Sequence, residues 1–157
     1  VYENPGKPKK YKAHEVNLKY VGKITDNIEM LIKEGADIHA NRNFALRLAA
    51  DKGHYNIVKL LLKHGANIHA DCDCALRFAA ENGHYNIVKL LIEHGADVHV
   101  DDDAPLRWAA ENGYYNVVKI LLEHGANVHA QNDAVLCWAK HNNDKRMIKL
   151  LESYINK

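Results

Sequence analysis

Apolar positions recur along this chain at two spacings, one nested in the other. Within 73–97, Leu76, Ala79 and Ala80 fall at i, i+3 and i+4 and so share one face of a short helix. The paired alanines carry no long side chain, so another helix can approach closely. Gly83 interrupts the pattern at a point where a positive φ allows a tight turn. A second helix is predicted over about 85–94, where Ile87, Val88, Leu90, Leu91 and Ile92 form a stripe wide enough to be buried on more than one side. His94 in its last turn brings a ring donor to the orphan carbonyls, and Gly95 supplies a left-handed stop. A short extended loop leads to the next helix, which is expected to begin near Asp103. Asn43, Asp73 and Asp103 repeat that N-cap residue type.

The larger spacing is thirty residues. The 25-residue strings ALRLAADKGHYNIVKLLLKHGANIH, ALRFAAENGHYNIVKLLIEHGADVH and PLRWAAENGYYNVVKILLEHGANVH begin at Ala45, Ala75 and Pro105. Residues 65–94 and 95–124 agree at 19 of 30 positions. Self-similarity at such a period marks a stack in which each unit buries its apolar face only against its neighbours.

These residues resemble the ankyrin repeat. The family pattern T-P-L-H-x-A-A…G-H…V-V-x-L-L-L-x-x-G-A-x-V-N-A is matched by APLRWAA…GYYNVVKILLEHGANVHA at 104–130, and the resemblance covers about 16–155. It implies an all-α solenoid of about five helix-turn-helix units, at 13–40, 41–70, 71–100, 101–130 and 131–157, behind a basic tail at 1–12. Two departures stand out. The period is 30 rather than about 33, and the missing residues fall in the hairpin finger, which is expected to be short. The motif histidine is replaced by Arg47, Arg77 and Arg107, then by Cys137. Shortened units carrying ALRxAA and EHGAD are similar to the ankyrin arrays of giant amoeba-infecting viruses.

The outer units are worn copies. Val16 stands for Leu46, and Lys19 and Tyr20 replace the alanine pair. Near the other end Lys140 replaces the second alanine, Asn143 the turn glycine and Glu152 an apolar position of the second helix. Polar residues there are expected to cap the stack.

Composition adds little to the fold but narrows the function. The 157 residues are 47% hydrophobic and 26% charged, as in an ordinary globular domain. No apolar run approaches ~18 residues, and no secretory leader is visible. Cys72, Cys74 and Cys137 make no disulfide framework, so a reducing, intracellular location is expected. A chain beginning at Val1 leaves open a segment upstream. Charge is uneven: 41–70 has five basic and one acidic side chains, while 71–100 and 101–130 each have two basic and five acidic.

Four first-helix positions form a ladder at 30-residue spacing: Leu48, Phe78, Trp108 and Trp138. The resemblance places them on the concave side, partly exposed, where aromatics can anchor a partner; the alternative is packing between units. It also implies that the helix-end positions Asp51, Lys52, Glu81, Asn82, Glu111 and Asn112 face partners. Asp101, Asp102 and Asp103 make an acidic finger suited to steering a basic partner. The row His39, His69, His99 and His129 is read as hydrogen-bonded within its loops. Adjacent units stack at roughly 8–10 Å, too far apart for one metal ion held at about 2 Å. Cys72 and Cys74 lack a second pair at zinc spacing, and 101–103 lacks the glycine and distal glutamate of a calcium loop.

No nucleophile elbow, phosphate loop or HExxH is present, so neither an enzyme nor a cofactor is expected. The reading that results is an intracellular, monomeric protein-interaction module that binds through its concave face and fingers. The alternative is a nucleic-acid-associated protein using Lys7, Lys9, Lys10 and Lys12 with Tyr11. The acidic middle repels phosphate and argues against that second reading.

Overall fold

Alanine pairs set the architecture. Ala49 and Ala50, Ala79 and Ala80, and Ala109 and Ala110 are all buried, and with no side chain beyond Cβ they let successive first helices lie close together. The computed structural model describes residues 24–156, with side chains from Asn27 onward. The expected first helix of unit one, with Val16, Lys19 and Tyr20, and the basic tail with Lys7, Lys9, Lys10, Tyr11 and Lys12 lie outside the described residues.

Among the described residues there are nine helices and no strand: α1 (Ile24–Lys33), α2 (Ala40–Asp51), α3 (Tyr55–Lys63), α4 (Ala70–Glu81), α5 (Tyr85–Glu93), α6 (Val100–Glu111), α7 (Tyr115–Glu123), α8 (Ala130–His141) and α9 (Lys145–Ile155). The all-α solenoid of paired helices is present. The even-numbered helices pack on one another in sequence, each also packs on the odd-numbered helix that follows it, and consecutive odd-numbered helices touch more lightly. The main packing is therefore within a unit or between neighbours.

The core follows the sequence periodicity. Leu46, Leu76 and Leu106 anchor the first helices; Ile87, Val88, Leu90 and Leu91 are buried in α5, the same four positions are buried in α7, and in α3 Ile57, Val58 and Leu61 are buried while Leu60 is half-buried. Lys89 and Glu93 stay in water. Each buried leucine or isoleucine contributes about 1.5–3 kcal/mol relative to exposure. The two stops behave as expected. Gly53, Gly83 and Gly113 have φ of 75°, 73° and 74°, and Gly95 has φ 92°. The His94 and His124 rings each meet a carbonyl one turn back, Leu90 and Ile120, at 2.8 Å.

The loop between units differs from expectation. It is not extended: three successive residues adopt left-handed helical angles in each unit, at 41–43, 71–73, 101–103 and 131–133, with φ between 47° and 63°. The right-handed part of each first helix starts only after them. Left-handed geometry is unfavourable for residues with a Cβ and least so for Asn and Asp, which hold most of these positions. With three residues fewer than the usual unit there is no length for a hairpin, and a left-handed turn is the compact way to reverse the chain.

The N-cap expectation also changes. Asn43, Asp73 and Asp103 are buried, and their side-chain oxygens accept backbone N–H groups elsewhere: Asn67 (2.8 Å), Asp97 (3.1 Å) and Asn127 (2.7 Å). They tie each left-handed turn to the loop entering the next unit. The pattern of residue types was right, but these side chains bridge between loops.

Candidate partner-binding surface

The exposed parts of this stack are fixed by what its polar residues do for the fold. Arg47 donates Nε to the carbonyl of Arg42 (3.2 Å) and Nη2 to that of Asn41 (3.0 Å), while Nη1 reaches Asp71 in the next unit (2.9 Å). Arg107 repeats this on Asp102 and Asp101 carbonyls (both 2.9 Å) and on the Gln131 side chain (3.0 Å). Arg77 pairs with Asp101, but its other terminal nitrogen makes only a long bond to the Asp71 carbonyl (3.4 Å), and its buried Nε has no partner among the described residues. A left-handed turn aims successive carbonyls at one place, and a guanidinium has the donors to take two of them and still reach onward. Thus arginine fits where the family's histidine usually stands. The link always spans 24 residues: 47 to 71, 77 to 101, 107 to 131. Sequence reasoning missed it, although that constant offset from arginine to acceptor was a visible signal.

The histidine row is also used locally. The ring Nδ1 of His69 lies 3.1 Å from Asp73, that of His99 lies 3.1 Å from Asp103, and that of His129 lies 2.6 Å from Asp133. Each pair sits at the base of its own turn.

These bonds redraw the acidic finger. Asp103 is 4% exposed and holds Asn127 and His99, so it does not face a partner. Asp101 is exposed but is paired with Arg77. Of the three, only Asp102 is exposed without a side-chain bond among the described residues.

On the first helices, Leu48, Phe78 and Trp108 are half-buried and Trp138 is 37% exposed. Arg77 from the preceding unit lies 5.7 Å from the Trp108 ring centre, so one side of that ring is covered by a cation–π contact. Trp138 meets His141 edge-on at 6.2 Å. Leu48 lines an apolar groove at the α1 end with Ile28, Ile32, Ile38 and Phe44. Residues three and four positions further share the ladder's helical face. There Glu81, Asn82, Glu111 and Asn112 are exposed, and Asp51 is half-buried beside exposed Lys52 (2.8 Å). Asn82 and Asn112 donate to the carbonyls of Phe78 and Trp108, both at 2.9 Å, and Asn82 also reaches Asp51 (3.1 Å). The structure therefore brings the ladder and the helix ends together on one surface, and Asp102 stands at the other end of α6.

A family model described as ankyrin repeats (3 copies) matches residues 19–102 and 69–132, most of the chain. The chain belongs to the ankyrin-repeat family. No curated protein matches it. Ankyrin repeats serve generally as protein-interaction modules. No helix among the described residues is long and apolar enough to cross a membrane. In this ankyrin stack two of the turn glycines are closed by the following unit: a Cβ at Gly53 would stand 2.7 Å from the His84 ring, and one at Gly83 would stand 2.6 Å from the Tyr114 ring, whereas Gly113 is open. The ends of α2 and α4 are thus held against the following unit, and their exposed side chains project from that edge.

Proposed function

We propose that this ankyrin chain is a non-enzymatic module that binds a partner protein across its first helices. Phe78, Trp108 and Trp138 supply the apolar contact, with Leu48 at the α1 end. Glu81, Asn82, Glu111, Asn112, Asp51, Lys52 and Asp102 supply a polar margin. The observation that carries this reading is the exposure pattern along each first helix. The ladder position keeps an open side, while the alanines one and two places beyond it, Ala79 and Ala80 or Ala109 and Ala110, are buried. Large rigid aromatics on such a face give contact area at low entropic cost. The family's use of its concave side supports the same placement. An intracellular location accords with the lack of paired cysteines among Cys72, Cys74 and Cys137, all free. The likeness of the shortened units to viral ankyrin arrays supports a partner from a host cell.

Affinity capture from host-cell lysate with the parent chain and with a Trp108→Ala/Trp138→Ala variant, followed by mass spectrometry, tests this directly. A protein retained by the parent and lost by a folded variant supports the ladder. Equal recovery by both places the site elsewhere.

A further inference from the structure

Two of the four first helices end on a carboxylate that the fold leaves unused. Glu81 closes α4 and Glu111 closes α6; both are exposed, and neither side chain forms an ion pair or hydrogen bond among the described residues. Arg77 and Arg107 stand four residues before them, at a spacing suited to a helical ion pair. Both guanidinium groups turn the other way, Arg77 to Asp101 and Arg107 to the carbonyls of Asp102 and Asp101. The other two cations of 71–130, Lys89 and Lys119, belong to second helices and lie 3.9 and 3.7 Å from Glu93 and Glu123.

A carboxylate at a helix C-terminus also meets the negative end of the helix dipole. The fold therefore loses stability at Glu81 and Glu111 and recovers none through a partner. The outer first helices differ: Asp51 at the end of α2 is matched by Lys52 at 2.8 Å, and α8 ends on Lys140 and His141. Each unpaired glutamate lies three residues past a ladder ring, Phe78 or Trp108, on the same helical face. Apolar contact and free negative charge thus stand side by side in two successive units.

The spacing of the units selects the shape that can use both. Neighbouring first helices pack at about 8–10 Å. An extended segment covers that distance in about three residues, and an odd number turns successive contacts to opposite faces. A helix covers it in about seven residues at ~1.5 Å each and returns to within ~20° of the same direction.

We propose that the ladder receives an amphipathic helix of a partner protein, laid along the stack, with apolar residues seven apart on Phe78, Trp108 and Trp138 and basic residues flanking them over Glu81 and Glu111. The inference rests on the ladder being the binding face and adds the partner's shape and charge. Charge recognition then belongs to the helix ends rather than to the aspartate finger, where Asp101 and Asp103 already have partners within the fold.

The test titrates the isotope-labelled full chain with three capped peptides of three heptads each, followed by amide chemical shifts. The first has leucine at the first place of every heptad, lysine at the fourth and fifth, and alanine or glutamine elsewhere. The second replaces lysine by glutamine, and the third has the first one's composition in scrambled order. The lysine peptide is expected to bind about fivefold more tightly than the glutamine peptide. It should move amides at 78–82 and 108–112 and lose its advantage at high salt. The scrambled peptide should bind about tenfold more weakly. Glu81→Gln/Glu111→Gln should remove the preference for lysine, whereas Glu93→Gln on α5 should keep it. The melting temperature of the double variant should not fall; a clear fall would show that the fold uses these charges and would overturn the proposal. Trp108→Ala should weaken the lysine and glutamine peptides alike. Shifts away from the ladder, or no loss with Trp108→Ala, would end the ladder reading and this inference with it. Binding on the ladder with no preference for lysine, a preference that survives the double glutamate change, or equal binding of the scrambled peptide would overturn this inference alone.

Discussion

In unit 71–100 the second helix, α5, starts at Tyr85 with no side-chain cap, whereas α9 in the last unit starts after Asp144, whose carboxylate accepts the N–H of Met147 at 2.9 Å. The contrast extends to the rest of both units. Arg77 reaches Asp101 in the next unit, Ala80 is buried beneath it, and Gly83 is closed by Tyr114. Their counterparts Cys137, Lys140 and Asn143 are all exposed. Helix α9 is also longer, 11 residues against 9. An inner helix is thus held by what stacks on it and needs few local signals. The last described helix carries its own cap and its own clamp, Arg146 on Tyr115. Local propensity and stacking substitute for one another along the array.

The sharpest way to break this comparison is to exchange the alanine position. Ala80→Lys would bury an ammonium between helices without a partner, and a loss of several kcal/mol is expected. In urea titration the transition should move to much lower denaturant or disappear. Lys140→Ala, the reverse change on an exposed site, should shift the midpoint by no more than about 0.5 kcal/mol.

A smaller difference is expected at the turn aspartate. Asp73 accepts the Asp97 N–H and holds His69 while nearly buried, so Asp73→Ala should cost about 1–3 kcal/mol by orphaning both groups. Among the described residues the Asp133 side chain bonds only to exposed His129. Its replacement by alanine should cost well under 1 kcal/mol, read from the same chemical melts.

Smaller still is the arginine stitch. Arg77→Ala removes a link to Asp101 and the cover of Trp108, and about 1–2 kcal/mol is expected, since the pair is partly exposed and screened. Arg77→Lys should not restore it, because an ammonium cannot fork between two acceptors. Cys137→Ala, at the equivalent place in the last unit, should be neutral.

These contrasts also mark how far the sequence could be read. The thirty-residue period, the alanine pairs and the glycine stops were legible, because each depends on a residue type with one dominant physical use. The left-handed turns were not. Arg42 and Cys72 sit within them at φ 57° each, with no preference for that geometry, so the conformation is imposed by bonds made from outside the loop. For the same reason Asp103 read as part of an acidic surface, although it is buried: a run of three aspartates looks uniform in sequence, while the fold assigns each a different partner. The ladder lay between these cases. Its spacing was plain, but whether Trp108 was open depended on Arg77, a residue of another unit.

The chain has two tryptophans, and both stand on that ladder. Their fluorescence therefore reports on the proposed surface alone. With the captured partner added, the account predicts a blue-shifted emission and a fall of at least twofold in quenching by acrylamide, as Trp138 and the open side of Trp108 leave water. A complex that forms while both emission and quenching stay unchanged would contradict it.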